Sequence, residues 1–173
     1  MQPSSDIILI GMPGAGKSTV GVLLAKMTSR SFIDTDLRIQ HAESRTLQQI
    51  VDQDGYLKLR AIEEKILLAI RAEGLVIATG GSAVYSEKAM RHLARLGRIV
   101  FLDVTRQTLL HRVTDYETRG LAKRPDQSFD ELFEERYALY KKYAEVTIAC
   151  DRLNHEEVCG KIIAEIARYT DKK

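Results

Sequence analysis

The chain has 173 residues, 45% of them hydrophobic, and a formal net charge of +2. These values suit one domain with a buried core over residues 1–173, and they argue against nucleic-acid binding through bulk positive charge. No segment resembles a signal or membrane helix, and the two cysteines lack metal-ligand spacing, so we expect a cytoplasmic protein with reduced thiols, a disulfide being the alternative.

Short apolar runs alternate along the chain with longer segments of helical period. The apolar runs predict strands at 7–10, 32–33, 75–78, 99–102 and 146–149. The helical periods predict helices at 18–28, 37–42, 47–53, 57–73, 87–96, 105–113, 129–143 and 155–169. Apolar strands separated by helices predict a five-stranded parallel sheet covered on both faces, that is, a three-layer α/β/α domain.

Three unusual segments follow directly after predicted strands. They are the glycine-rich residues 11–18, the acidic residues 34–36 and the small residues 79–82. Ligands of an open parallel sheet bind beyond the carboxyl ends of its strands. We therefore expect these three segments to meet in one site.

The first of these segments, GMPGAGKS at 11–18, fits the pattern G-x-x-x-x-G-K-[ST] between a predicted strand and a predicted helix. In this pattern, backbone N–H groups turn inward around phosphates and the helix adds its positive dipole end. It predicts ATP-binding residues at Gly11, Gly14, Ala15, Gly16, Lys17, Ser18 and Thr19. Lys17 would reach the β- and γ-phosphates, and Ser18 would ligate Mg²⁺. The alternative is a strand–turn–helix joint whose glycines serve backbone geometry alone.

Six segments in sequence match one family in order and spacing. They are GMPGAGKSTVGVLLA at 11–25, FIDTD at 32–36, Gly55 with Leu59, Arg60 and Glu63, ATGG at 78–81, Arg119, and ERYALYKKYAEVTI at 135–148. Together they resemble the shikimate kinase family from end to end. The resemblance implies a P-loop kinase fold and a monomer that uses ATP and Mg²⁺ to phosphorylate the 3-hydroxyl of shikimate.

The resemblance also implies roles for the two aspartates after the second predicted strand. Asp34 supports Mg²⁺ together with Ser18, and Asp36 orients or deprotonates the attacking hydroxyl. The alternative is an Asp-rich turn or a helix cap, with Asp36 capping a helix that begins at Leu37.

Arg60 and Arg136 are implied to bind the carboxylate of the acceptor, because planar forked donors give two parallel hydrogen bonds to such a group. Glu63, one helical turn after Arg60, is expected to hold that arginine. Gly80 and Gly81 are expected to allow close approach of the backbone and to offer N–H donors. The alternative for each arginine is a solvated surface charge.

Residues 115–128 form a polar stretch without hydrophobic period and are the predicted mobile lid. By resemblance, Arg119 swings over the phosphates and stabilises the charge of the transition state. Arg112 and Arg152 are implied to flank the adenine. The alternative is a flexible basic loop with no catalytic part.

The chain departs from the family pattern at four positions, which leaves the identity of the acceptor open. Ser82 stands for the usual third glycine, Leu59 for Phe, Tyr56 for Glu and Gly120 for the frequent Pro. One alternative function is a kinase of another carboxylated polyol such as gluconate. Another is a regulatory nucleotide-binding module without catalysis, against which the retained catalytic set argues.

Overall fold

The structure of the chain is a computed structural model that describes residues 6–71, 73–113 and 120–170. Its strands are β1 (Asp6–Ile10), β2 (Ser31–Asp34), β3 (Leu75–Ala78), β4 (Gly97–Asp103) and β5 (Val146–Ala149). Its helices are α1 (Lys17–Thr28), α2 (Thr35–Glu43), α3 (Leu47–Asp54), α4 (Tyr56–Leu68), α5 (Glu87–Leu96), α6 (Arg106–Arg112), α7 (Phe129–Tyr143) and α8 (His155–Thr170). A short 3₁₀ helix spans Ala83–Tyr85.

The five strands form one parallel sheet in the order β2-β3-β1-β4-β5. The central register places Ile8 of β1 beside Ile77 of β3 and Ile99 of β4. Helices α1, α5, α7 and α8 pack against the sheet. The predicted five-stranded parallel α/β/α domain is therefore confirmed.

The main core lies along the central strands. Ile7, Ile8, Leu9 and Ile10 of β1 are all buried, as an interior parallel strand requires. A second apolar cluster joins α2, α3 and α4 through Ile39, Ile50, Leu59, Ile62 and Ala122. Burial of each large aliphatic side chain contributes about 1.5–3 kcal/mol, so this small cluster holds the helical side of the site in place.

Side-chain caps fix the starts of several helices. In α7, the Ser128 hydroxyl accepts from the Glu131 N–H at 3.1 Å, and the Glu131 carboxylate accepts from the Ser128 N–H at 2.8 Å. Helix α3 begins with the same capping box, between Thr46 and Gln49. These caps set the register of the helices that carry Arg136 and line the acceptor side.

Two helix boundaries differ from the predictions by more than one residue. Helix α2 begins at Thr35, and its cap is Asp34, whose Oδ1 accepts from the Asp36 N–H at 2.9 Å. The alternative in which Asp36 caps a helix from Leu37 is therefore wrong. Helix α4 ends at Leu68 instead of Glu73, because the chain turns there to bury Ile70 in the main core.

Within the described ranges, none of the helices combines the length and the apolar character needed to cross a membrane. Both cysteines, Cys150 and Cys159, are free and buried. No disulfide joins them in this structure, and the reduced state of the thiols stays a prediction.

Candidate active site

The glycine-rich loop connects β1 to α1, as predicted. Gly11, Gly14 and Gly16 have φ values of 149°, 86° and 94°, which side chains rarely adopt. Helix α1 begins at Lys17 without a side-chain cap, so its first N–H groups face the loop with no partner inside the helix. Within the loop, the Ala15 N–H donates to the Met12 carbonyl at 3.0 Å.

Lys17 lies folded across its own loop. Its Nζ donates to the carbonyls of Gly11 at 2.7 Å and Met12 at 2.9 Å, and its side chain is buried. Burial lowers the pKa of Lys17 to about 8, although the nearby Asp36 carboxylate opposes that shift. A buried ammonium held only by neutral carbonyls is a strong attractor for an anion such as a phosphate.

Ser18 and Asp34 bring two oxygen ligands together where β2 ends beside the loop. The Ser18 hydroxyl donates to Asp34 Oδ2 at 2.6 Å, while Oδ1 of Asp34 caps α2. In the described part of the chain, no group of three or more His, Cys, Asp or Glu forms a protein cage for a metal. Mg²⁺ in kinases needs only one or two protein oxygens besides phosphates and water, so this pair fits it.

Asp36 lies in the first turn of α2 and is partly buried. Burial raises the pKa of its carboxyl, and the Lys17 ammonium opposes that rise. A Cβ on Gly80 would lie 2.7 Å from Asp36 Oδ1, so only glycine leaves room for this carboxylate. The expectation of a free Gly80 N–H is wrong, because that N–H donates to Thr35 Oγ1 at 3.0 Å.

Gly81 is fixed between the loop and α7. Its carbonyl accepts from the Tyr140 hydroxyl at 2.7 Å. A Cβ here would lie 2.6 Å from Arg136 Nη1 and 2.9 Å from Pro13 Cδ. The close approach predicted for this glycine is therefore present, and its partner is the Arg136 guanidinium.

Arg60 and Arg136 converge on one oxygen atom. The Ala122 carbonyl accepts from Arg60 Nη2 at 2.9 Å and from Arg136 Nη2 at 3.2 Å. Arg136 is 1% exposed, so the alternative of a solvated surface charge is wrong for it. The Nε atoms of both arginines have no hydrogen-bond partner among the described residues. A neutral carbonyl thus stands where two cations could bind an anionic oxygen.

The contacts of Tyr85 and Glu63 differ from what the sequence predicts. The guanidinium of Arg60 lies 3.5 Å from the centre of the Tyr85 ring, a cation–π contact that the sequence analysis missed. Glu63 does not hold Arg60, because one of its oxygens accepts from the Ser82 hydroxyl and the other has no partner in the described chain. The sequence indicates a role for Tyr85 only in that an aromatic residue follows Gly80 and Gly81 closely.

One cavity of about 680 Å³ joins the phosphate loop to the acceptor residues. Its lining includes Gly14, Gly16, Lys17, Ser18, Thr19, Asp36, Glu63, Gly80, Gly81, Ser82, Arg112 and Arg136. Arg152 is exposed in the turn after β5 and is not part of this lining. The structure therefore brings most of the predicted site residues together, whereas the lining does not include Gly11, Ala15, Asp34, Arg60 or Arg152.

Only the second half of the predicted lid can be described, since Arg119 and the rest of 114–119 lie outside the described residues. The Gly120 N–H donates to Gln48 Oε1 at 2.6 Å, and Ala122 is buried. Arg124 pairs with Glu135 at 3.2 Å. Residues 120–128 therefore contact α3 and α7 in this structure.

A phosphate loop after the first strand, opening onto the same cavity as a carboxylate and a buried arginine, places this chain among the P-loop kinases of small molecules. The family model described as "Shikimate kinase" matches residues 13–167. The shikimate kinase of Sulfurihydrogenibium sp. (strain YO3AOP1) is 35% identical over 164 residues, which are 94% of this chain and 98% of that protein. The chain belongs to the shikimate kinase family.

Solved structures agree with this membership. A shikimate kinase from Acinetobacter baumannii in complex with shikimate has a TM-score of 0.87 and 29% identity, over 96% of this chain and 94% of the other. The shikimate kinase of Aquifex aeolicus VF5 has a TM-score of 0.82 and 33% identity, over 95% and 98%. A gluconokinase from Sinorhizobium meliloti 1021, with a TM-score of 0.57 and 22% identity over 98% and 95%, shares only the fold.

Proposed function

We propose that this protein transfers the terminal phosphoryl group of ATP to the 3-hydroxyl of shikimate. The observation that carries the proposal is the convergence of Arg60 and Arg136 on one oxygen, since Arg136 lines the cavity that also holds the phosphate loop. Two arginines directed at one point suit a carboxylate, which shikimate has and a simple polyol lacks. Family membership and the shikimate-bound relative support the same acceptor.

ATP binding is the role proposed for the glycine-rich loop. The N–H groups at the start of α1 would surround the phosphates, and Lys17 would exchange the Gly11 and Met12 carbonyls for oxygens of the β- and γ-phosphates. The exchange is favourable because phosphate oxygens carry the charge that the carbonyls lack. Arg112 at the cavity wall and Arg119 in the lid are proposed to complete the nucleotide site.

Asp36 is proposed to act on the acceptor hydroxyl. Its carboxylate accepts the hydrogen bond of the hydroxyl, so that an oxygen lone pair points at the γ-phosphorus. As the new O–P bond forms, the bond between the γ-phosphorus and the bridging oxygen breaks. ADP leaves with that oxygen, and Asp36 takes the hydroxyl proton. Lys17 stabilises the charge on the transferred group during this step.

We further propose that Ser18 and Asp34 hold Mg²⁺, which when bound would neutralise charge on the β- and γ-phosphates. The support is the paired oxygens of these two residues at 2.6 Å. We also propose that the protein acts as a single domain and a monomer in the cytoplasm, where free thiols are stable. Light scattering in solution would test the monomer, because a dimer would double the measured mass.

A coupled assay of ADP release tests the acceptor directly. Purified protein is given ATP and Mg²⁺ with shikimate, with gluconate or with no acceptor. We expect ADP release with shikimate to exceed both other rates by at least tenfold. Higher activity with gluconate would favour the polyol kinase, while ATP binding without turnover on any acceptor would favour the regulatory module.

A further inference from the structure

Ser82 makes a buried contact that a glycine at its position could not make. Its hydroxyl donates to Glu63 Oε2. Glu63 is 2% exposed and Ser82 is 7% exposed, so water does not compete strongly for this hydrogen bond. Both residues line the same cavity as Asp36 and Lys17. The contact therefore belongs to the site itself and fixes the Glu63 carboxyl group within it.

The second oxygen of Glu63 and the Asp36 carboxylate face the same point next to Gly80. A Cβ on Gly80 would lie 2.2 Å from Glu63 Oε1 and 2.7 Å from Asp36 Oδ1, so the two carboxyl oxygens crowd the same point. Glu63 Oε1 is buried and has no hydrogen-bond partner among the described residues. A buried oxygen without a partner, next to another carboxylate, favours a proton on one of the two groups.

The charges around Glu63 come from several elements. Asp36 of α2 adds negative charge, while Lys17 of α1 and Arg136 of α7 add positive charge, and the Tyr140 hydroxyl of α7 also faces it. Burial raises the pKa of Glu63 to about 7, with Asp36 as the next cause, and the Ser82 hydrogen bond opposes the rise. The proton belongs on Oε1, because Oε2 already accepts from Ser82.

We propose that Ser82 and Glu63 form a positioning pair for Asp36, in which Ser82 fixes one Glu63 oxygen and the other presents a proton to the Asp36 carboxylate. The proposal rests on the proposed function, since Asp36 is placed there as the group that acts on the acceptor. Loss of the Glu63 proton puts a second negative charge beside the place where an anionic acceptor meets ATP. Glu63 thereby couples the acceptor step to pH, and Ser82 lowers the pH at which the proton is lost.

Kinetics across pH 5.5–9 test the pair. In the wild type, kcat/KM for shikimate should fall as pH rises above about 7. In Glu63→Gln the fall near pH 7 should disappear, because an amide does not ionise and still donates an N–H. Only the fall near pH 8 that deprotonation of Lys17 causes should remain. In Ser82→Ala the fall should move to higher pH, and kcat should drop roughly two- to tenfold, as loss of one hydrogen bond predicts.

A neighbouring pair provides matched controls. The Ser86 hydroxyl donates to Glu64 Oε2, also between α4 and the segment after β3, but neither residue lines the cavity. Ser86→Ala and Glu64→Gln should keep the wild-type pH profile, although Ser86→Ala removes the cap of α5. A Glu63→Gln enzyme that retains the wild-type fall centred near pH 7 would overturn the proposal.

Unfolding in urea tests the proton on Glu63 independently of which acceptor the protein phosphorylates. A glutamate whose pKa is raised in the folded state makes stability fall as pH rises from about 4.5 to about 7. The stability of Glu63→Gln relative to wild type should therefore be greater at pH 8 than at pH 5. An unchanged difference refutes the proton on Glu63, whether or not shikimate is the acceptor. Absent turnover of shikimate alone refutes only the proposed function.

Discussion

Replacing Arg136 with lysine tests the carboxylate clamp, because it keeps the positive charge and removes the planar fork. Arg136 is fully buried, its Nη2 donates to the Ala122 carbonyl, and its Nη1 lies against Gly81. A single ammonium cannot occupy both nitrogen positions. The substitution therefore removes one of two directed donors while the charge stays in the cavity.

The size of the effect follows from the loss of one hydrogen bond to a charged acceptor. Such a bond contributes about 1.5–3 kcal/mol, which raises KM about 10- to 100-fold. We expect this rise for shikimate, and a change under about twofold in KM for ATP, because the phosphate loop keeps its own donors. Arg60→Lys should have a smaller effect, since Arg60 is only partly buried and also stacks on Tyr85.

The assay measures ADP release at varied shikimate and at varied ATP. It is repeated with a shikimate analogue that lacks the carboxylate, on which the variant should lose little relative to wild type. Arg106→Lys is the matched control, because Arg106 pairs with Asp130 on the exposed surface. Such exposed pairs contribute about 0–1 kcal/mol to stability, and this one touches neither substrate.

One result would refute the clamp. If the wild type phosphorylates the analogue without a carboxylate as well as it phosphorylates shikimate, neither arginine is binding a carboxylate. If Arg136→Lys lost equal activity on shikimate and on the analogue, the clamp would also be refuted. The lost donor would then stabilise the fold of the pocket and would not bind the acceptor.

Three further substitutions test other parts of the structure. Lys17→Met should lower kcat/KM by far more than tenfold, and a variant that retains over about a tenth of the activity contradicts the role of Lys17. Urea unfolding of this variant at pH 7 should show no loss of stability, because the lowered pKa means that the Lys17 charge opposes folding. Asp36→Asn should depress kcat while ATP affinity, titrated without acceptor, stays unchanged; a large loss of ATP affinity with normal kcat would place Asp36 at the metal instead. Gly21→Ala should lower the free energy of unfolding in urea by about 1–3 kcal/mol, because the added Cβ would lie 2.4 Å from the Phe32 ring. An unchanged midpoint of the urea unfolding transition would mean that the ring moves freely.

Features encoded by adjacent residues were predictable from the sequence. The phosphate loop needs glycines at fixed offsets and a lysine at the start of a helix, all within eight residues. The strands were visible as continuous apolar runs, because an interior parallel strand is buried on both faces. For these features, local backbone geometry and burial leave little choice of residue.

Features that depend on distant backbone atoms were not predictable. The oxygen that joins Arg60 to Arg136 is the carbonyl of Ala122, 62 positions from Arg60, and a carbonyl leaves no mark in the sequence. Glu63 illustrates the same limit. Helical spacing suggested Arg60 as its partner, but the Ser82 hydroxyl competes for the carboxyl group once the fold brings the two together.

The Ala122 carbonyl affects the affinity that the site would show for its acceptor. Under the proposed function, an acceptor does not enter a bare pair of cations but replaces a backbone ligand that already occupies both. Its dissociation constant therefore measures a difference between two ligands and not the strength of one contact. Changes in residues 123–128, which do not line the cavity, would tighten acceptor binding if they weakened the hold of this carbonyl. Small anions in the buffer would compete for the same exchange.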